Sequence, residues 1–544
     1  MSGAFVAGSR SNPDLRRWNP VAGSPDADIL SNIPIIASRA RDLQRNHPLV
    51  AGALQTNLDN ILGGGLWLAP MPDYEVLGKS REWAIETRTA IKALWRGWAD
   101  TFHCDATRSF TLDGLAQQMF VGAWMNGDGV ALPLWLPRLG SPAALRIQTI
   151  ESDRLCNPQG TPDTATLRGG IEIDAYGAPV AYNFKKSHPG DRYFWHGLVP
   201  DKDEWERIPA ETWWGRRRVI HMPDSKIRSG QTRGVSALAS VMRTLKVAGD
   251  YTNHELKAAA VNAMIAVITE SSLSQDALLE LLSNNEDARQ SYIESLSSRG
   301  KGSLPMEGGT ILPLMLGEKV SSFNPSRPNT AYEPFMNAMG RYMAAGLNMP
   351  FELFMKDFSQ SNYSSARAAL LEGWRFFTGR RQHLALYFYQ PVYELFLEEM
   401  VDAGKIDAPD FYENKWAYCR ARWVGPGRGW IDPLKEAEAA GMRMELKLSS
   451  LEDECAEQGK DWQEVLEQIA AEREYAETLG VDLGQAFGAR APQPAPQPDR
   501  ESDEERQARE AEEVDQGGDK PAQRGRKVQR ETTRPAASRA ATKG

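Results

Sequence analysis

The 544-residue chain carries only four cysteines and seven histidines, and neither set is arranged for chemistry. Cys104, Cys156, Cys419 and Cys455 lie far apart, with no C-x-x-C pair and no histidine at ligand spacing, which speaks against structural zinc and fits a reduced, cytoplasmic origin. His47, His103, His188, His196, His221, His254 and His383 are dispersed, and neither H-E-x-x-H nor G-x-S-x-G occurs. His221 closes a β-type run before Pro223 and reads as a hydrogen-bonded structural imidazole. The phosphate-binding pattern G-x-x-x-x-G-K-[ST] is missing too. Its nearest look-alike, Gly300-Lys301-Gly302-Ser303, lacks the upstream glycine, so no nucleotide-hydrolysing loop is expected. No window reaches the roughly 18 apolar residues of a membrane span. The first thirty residues mix Arg16, Arg17, Asp14 and Asp26 with prolines and do not read as a signal peptide. Positive charge is also short: 63 Lys and Arg face 72 Asp and Glu, a net charge of -9. Broad gripping of DNA works through many cations that neutralise phosphates, and this chain is not built for it.

Apolar residues, by contrast, are plentiful. At 41% hydrophobic, with 16 Trp, 17 Phe and 15 Tyr, the chain has material for several buried cores. Residues 1–30 are rich in Gly, Pro, Ser and Asn without periodicity and read as an arm that orders against a neighbour. Leu43, Leu49, Val50, Ala53, Leu54, Leu58 and Ile61 then keep helical spacing up to Gly63-Gly64-Gly65, which must end the helix. Further helices are expected at Ser80–Ala99 and Leu112–Trp124. From Val130 the texture turns to β runs: Val130–Leu136, Leu145–Ile150, Ile171–Ala175 and Val180–Phe184, the last two joined by a turn at Tyr176-Gly177-Ala178-Pro179. The β part closes at Val219–Pro223.

Gly234 to Ala260 reads as one helix about 40 Å long, with Val235, Leu238, Val241, Leu245 and Ala248 on one stripe. Met264–Thr269 then reads as a strand and Gln275–Leu282 as a short helix. Ser283–Gly309 is polar, and Thr310–Leu316 and Val320–Phe323 are strand-like. A second helix carries Tyr332, Phe335, Met339, Tyr342, Met343, Gly346 and Leu347 until Asn348-Met349-Pro350 breaks it. After a polar stretch, Ser364 or Ser365 can cap a third, long helix with Leu370, Leu371, Trp374, Phe377, Leu384, Phe388 and Leu395, ending near Gly404. Trp416–Trp423 looks like a strand, Gly425–Gly429 like a rigid turn rather than a phosphate loop, and Asp432-Pro433 opens a run of helices to about Thr478. Beyond Arg490 come an Ala-Pro-Gln-Pro repeat, an acidic stretch from Glu501 to Asp515 and a basic one from Arg524 to Lys543. Such a tail has too little apolar surface to order itself.

The polar stretch between the second and third helices, Lys356, Asp357, Ser359, Gln360, Ser361, Asn362 and Tyr363, is the most informative segment. By length and composition alone it is a helix-to-helix turn. Its context changes that reading. Arg45-Asn46-His47-Pro48-Leu49-Val50-Ala51-Gly52-Ala53 leading to Asp59-Asn60-Ile61-Leu62-Gly63, then Asn362-Tyr363-Ser364-Ser365-Ala366-Arg367, then Gly429-Trp430-Ile431-Asp432-Pro433-Leu434-Lys435-Glu436-Ala437 together resemble the portal proteins of tailed bacteriophages, lambda type, over residues 35–480 or so.

The resemblance implies an α+β, predominantly helical subunit of a homo-oligomeric ring, usually a dodecamer, at one vertex of the capsid. It implies a flexible arm (1–30), a wing (31–223), a first stem helix (224–260) and a clip (261–330). A second stem helix (331–355), a tunnel loop (356–364), a long helix returning to wing and crown (365–485) and a disordered tail (486–544) follow. Lys356 to Tyr363 would face a channel for double-stranded DNA, while Leu238, Val241, Leu245, Tyr342 and Met343 would pack the stem. The implied partners are further copies of the chain, the terminase large subunit, and major capsid, scaffold and head-completion proteins. The implied location is the virion, with the host cytoplasm during assembly, and no membrane, metal, cofactor or catalytic residue is expected. An acidic chain suits such a conduit, because a basic lining would hold the duplex.

Two other readings stay open at this point. Glu151 with Asp153, or Asp59 with Asp73, are the carboxylates a metal-dependent DNA-processing enzyme would use. A head or tail adaptor without a channel is the other.

Overall fold

Helix boundaries in this chain are set by side chains that compete for backbone groups, and by prolines. The computed structural model describes residues 12–193, 205–264, 268–271, 318–321, 331–427, 429 and 433–481, with scattered single positions elsewhere. α1 (Pro25–Ile29) starts at Ser24, whose hydroxyl accepts from the Ala27 N–H, so part of the stretch expected to form an arm is a helix. α2 (Ile33–Asn46) and α3 (Pro48–Ile61) correct the expectation of one continuous helix here. His47 is extended between them, because a residue before proline is pushed out of the helical region.

β1 (Trp67–Pro70) precedes α4 (Arg81–Ala99), capped by Ser80, and α5 (Leu112–Asn126), capped by Thr111 and stopped by Gly127 at φ 96°. Then come β2 (Asp128–Trp135), β3 (Leu145–Ile150), β4 (Leu167–Arg168), β5 (Ile171–Ile173), β6 (Pro179–Lys185), β7 (Trp205–Pro209) and β8 (Ile220–Pro223). They form two antiparallel sheets, ordered β3-β2-β8 and β4-β5-β6-β7.

α6 runs from Met242 to Met264, so the expected start at Gly234 is wrong. In the preceding segment tertiary bonds displace the helical ladder: Ala237 N–H donates to the Trp124 carbonyl at 2.9 Å and Gly234 N–H to Asp128 at 2.9 Å. β9 (Ile268–Ser271) pairs antiparallel with β10 (Glu318–Ser321). The expected strand at Met264–Thr269 is therefore displaced towards the C-terminus. The elements expected at Gln275–Leu282 and Thr310–Leu316 lie outside the described residues apart from Glu280, as does the tail beyond Val481.

α7 (Tyr332–Gly346) is followed by the short α8 (Phe351–Met355) and by α9 (Tyr363–Leu384). The cap of α9 is Asn362, not Ser364 or Ser365: its side-chain oxygen accepts from the Ser365 N–H at 2.8 Å. A π-helical turn at Ala385–Tyr389 joins α9 to α10 (Gln390–Asp402), and Gly404 at φ 68° ends this rod where expected. The strand expected at Trp416–Trp423 is instead α11 (Lys415–Tyr418) followed by β11 (Ala421–Val424), which pairs with β1. α12 (Pro433–Glu445), α13 (Leu451–Glu457) and α14 (Trp462–Leu479) are the last elements among the described residues. Two compact units divide at Val465/Leu466, within α14; in the second, Gln468 donates to Glu472 along the helix at 2.8 Å.

The class is α+β and predominantly helical. The larger core is aromatic, with the Trp95 ring 5.4 Å from Trp98, 5.2 Å from Phe396 and 5.9 Å from Trp423. The smaller core fills the space between the two sheets, where Val130, Leu132 and Ile150 meet Tyr182, Phe184 and Ile208. β2 serves both. Val130 and Leu132 face the small core and Ala131 the large one, as period-two alternation requires.

Candidate functional site

The polar segment between α8 and α9 is a presented loop whose hydrogen bonds are mostly its own. Lys356 ends α8 in the left-handed region, φ 55° and ψ 35°, with its N–H on the Glu352 carbonyl. A side chain with a β-carbon adopts this conformation at a cost that glycine would not incur. Asp357 accepts from the Ser359 side chain and from the Ser359 N–H, the latter at 2.9 Å, and these bonds hold its carboxylate below the ordinary aspartate range. The Ser361 hydroxyl reaches back to Glu352 at 3.3 Å, and Asn362 begins the next helix as its cap. Lys356, Ser359, Gln360 and Asn362 are exposed, and Tyr363 opens α9. The Lys356 stem passes Gly52 of α3, since a Cβ there would meet Cε at 3.9 Å. Below the loop, Phe354 anchors α8 in the large core.

α6 and α7 lead away from the same core as neighbours. Tyr251 stacks on Tyr332 at 5.9 Å and meets Phe335 edge-on at 5.2 Å, and the Tyr332 hydroxyl donates to Thr252 at 3.2 Å. At the other end Gly346 lets α7 approach Val241, where an added Cβ would fall 2.3 Å from Cγ1. Leu238, Val241, Leu245 and Met343 are buried at this base. Tyr342 is not: it is 66% exposed, and its place in the stripe gives it no packing role within the chain. Val247, Leu256 and Phe335 are also exposed, so the outer parts of the pair carry apolar side chains that their own chain leaves uncovered.

What fixes α6 to the rest of the molecule was not visible in the sequence. Fully buried Asp128, at the start of β2, accepts from Arg233 Nε at 2.7 Å and Gly234 N–H at 2.9 Å, and pairs with His221 Nε2 at 2.8 Å. These partners overcome desolvation and hold its carboxyl far below the usual range. Arg233 also donates to the carbonyls of Leu155 and Gly169, at 2.9 and 2.7 Å. Buried Asp224 takes a bidentate pair from Arg380 of α9, one arm at 2.7 Å. Asp26 of α1 accepts from the Thr232 N–H at 2.8 Å and pairs with Arg168. The segment 224–234 is thus pinned to β2, α1 and α9 by side chains more than a hundred positions away, and no local spacing signals this. His221 is the structural imidazole that its position suggested.

The carboxylates that could have served an enzyme are already engaged. Glu151 and Asp153 do come together, with His188, their ligand atoms within 4.8 Å of one another. Arg41 fills that space, pairing with Asp153 and lying 3.2 Å from Glu151. His188 Nδ1 accepts from the Gly190 N–H at 2.9 Å, and its Nε2 lies 3.5 Å from Glu151. Asp59 is bound by Gln55 and Asp73 by Arg420, and they share no partner. The donor set fits a structural ion-pair cluster rather than a metal centre.

Relatives share this organisation at the level of sequence. The pattern of the family described as "Phage portal protein, lambda family" matches residues 11–381. Portal protein B of Escherichia phage lambda is 30% identical over 489 residues, covering 87% of this chain and 89% of its own. The portal protein of Escherichia phage N15 is 29% identical over 500 residues, covering 88% and 92%. Among solved structures, a chain in the virion of a native gene transfer agent particle gives a TM-score of 0.40 at 12% identity, covering 79% of this chain and 91% of that one; so loose a likeness carries no weight. Both phage relatives extend across nearly the whole length, loop and helices included, and the chain belongs to the lambda family of phage portal proteins.

Proposed function

We propose that copies of this chain assemble into a closed ring at one vertex of a phage capsid, and that double-stranded DNA passes through its centre during packaging and ejection. Family membership supports the ring, and so do the exposed apolar side chains on α6 and α7, which neighbouring copies would cover. In this reading α6 and α7 are the stem, the insert between them is the clip that docks the terminase large subunit, and 31–223 is the wing. Residues 356–364 are the tunnel loop, and 365–485 lead to wing and crown. Capsid, scaffold and head-completion proteins contact the remaining surfaces, and hydrolysis belongs to the motor rather than to this chain.

The single observation that carries the reading is the Lys356–Asn362 loop, exposed and self-bonded between two core-anchored helices, in a chain of the portal family. A net charge of -9 supports passage over binding: an acidic wall repels and centres the duplex, while one Lys356 per subunit makes a sparse cationic ring. Negative-stain electron microscopy of the purified protein tests this. Rings with a lumen wide enough for duplex DNA are expected, with packaging reduced and rings intact in N362G/Y363A. Monomers or dimers persisting at high concentration would refute the ring, and an adaptor without a channel would give particles with no lumen.

A further inference from the structure

An aromatic and cationic patch lies at the end of the three-stranded sheet. β8 pairs with β2 through Ile220 opposite Ala131. Continuing that antiparallel register back along the extended chain puts Arg218 beside Pro133 and Arg216 beside Trp135. The Arg216 guanidinium does lie over the Trp135 ring, 5.1 Å from its centre. Arg216 and Arg218 share the face of Ile220, whereas Arg217 points the other way, across from Glu211. The turn before them, closed by the Thr212 N–H on the Arg216 carbonyl at 2.8 Å, raises Trp213 and Trp214, whose rings meet edge-on at 5.2 Å. Tyr412, also exposed, is committed elsewhere and donates to Asp402 at 2.9 Å.

Trp213 is 93% exposed and Trp135, even with Arg216 over its ring, 51%, so among the described residues these large rings stand largely in water. Among the described residues neither Arg216 nor Arg218 pairs with a carboxylate, although the chain has nine more acidic than basic residues. Trp, Tyr and Arg together are the residue types that dominate binding energy at protein interfaces. A guanidinium stacked on an indole keeps its edge free for a bidentate carboxylate. We propose that Trp135, Trp213, Trp214, Arg216 and Arg218 form a docking surface for an acidic segment of another protein, one that sets an apolar side chain against the indoles and its carboxylates on the guanidinium groups. Charge complementarity selects this occupant: Asp402 and Glu211 stand nearby, yet among the described residues neither Arg216 nor Arg218 has a carboxylate partner, and an acidic segment would supply one.

The proposal is independent of the channel, so the two can fail separately. The full-length protein, in whatever assembly it forms, is titrated by fluorescence anisotropy with a labelled glutamate-rich peptide carrying a central Phe-Leu pair. The lysine counterpart of that peptide and a duplex oligonucleotide serve as competitors. The acidic peptide is expected to bind, to weaken with salt, and to lose at least about tenfold in affinity in both R216A/R218A and W213A/W214A, with particle size and melting temperature unchanged. Absence of binding, or equal binding by both variants, would overturn the proposal. Displacement by the oligonucleotide would assign the patch to nucleic acid instead, and loss of assembly in either variant would assign it to a second copy of this chain; both results contradict it.

Discussion

The loop at 356–362 and the segment at 224–234 each connect long helices to the body of the protein, yet they are built in opposite ways. Both ends of the segment, Asp224 and Gln231 to Gly234, are buried, and their anchoring bonds run to residues far away in sequence: Asp128, Asp26 and Arg380. The loop is exposed, and its bonds stay within about ten residues, from Asp357 to Ser359 and from Ser361 to Glu352. A group held from many directions cannot move without breaking several partners at once, whereas a self-bonded loop can shift as a piece. The difference separates an anchor from a presented element on one scaffold.

The largest effect is expected where the anchor is left half-made. D128A strands the Arg233 guanidinium in the interior, and breaking a buried pair in this way costs about 3–5 kcal/mol. Denaturant unfolding should show this loss, and a distinctly smaller one in N362A. The same pair sets a pH dependence. Because the Asp128 carboxyl in the folded state lies well below the roughly 3.9 of an exposed aspartate, its stabilisation is complete above that value and is lost as pH falls through the folded one. D128N should flatten the acid limb of a stability–pH curve; an unchanged limb would mean other carboxylates dominate it.

G346A comes next. Its methyl would sit 2.3 Å from Val241 Cγ1 at the base of α6 and α7, and overpacking of this kind costs about 1–3 kcal/mol. V241A in the same chain should recover part of the loss, which a double-mutant cycle measures. On the loop side, N362A removes the α9 cap, worth about 0.5–2 kcal/mol, and hydrogen exchange should speed up in the first turn of α9 alone. The smallest effect concerns Asp113, whose carboxyl burial raises above its ordinary value even though it accepts from the Tyr389 hydroxyl at 2.6 Å. Here the sign is the reverse of Asp128: the contribution is full below the unfolded value and is lost as pH rises through the folded one. D113N should therefore be the more stable protein at pH 7, by a margin that narrows toward pH 4; a constant margin would contradict it.

Local signals in the sequence proved readable wherever the controlling group was local. The helices expected at Ser80–Ala99 and Leu112–Trp124 are α4 and α5, Gly404 ends the rod, and Leu145–Ile150 is a strand to the residue. Expectations failed where distant partners decide. Val235, Leu238 and Val241 have helical spacing, but the Trp124 carbonyl and the Asp128 carboxylate claim the N–H groups beside them, so the helix starts at Met242. Tyr342 falls on the stripe of α7 yet faces out, because periodicity cannot say how far a helix is covered. The loop could be located from its polar run and the family motifs around it. Its anchor could not, since Asp128, Asp224, Arg233 and Arg380 are scattered charges until the fold gathers them.

The most direct test of the channel reading is to see where the loop sits in the assembled particle. Q360C, labelled with a maleimide-linked gold cluster in a variant lacking the four native cysteines, should form rings whose added density lies in the lumen, one spot per subunit. Rings with the label on the outer rim would contradict a channel-lining loop, and labelled particles with no central opening would contradict the conduit itself.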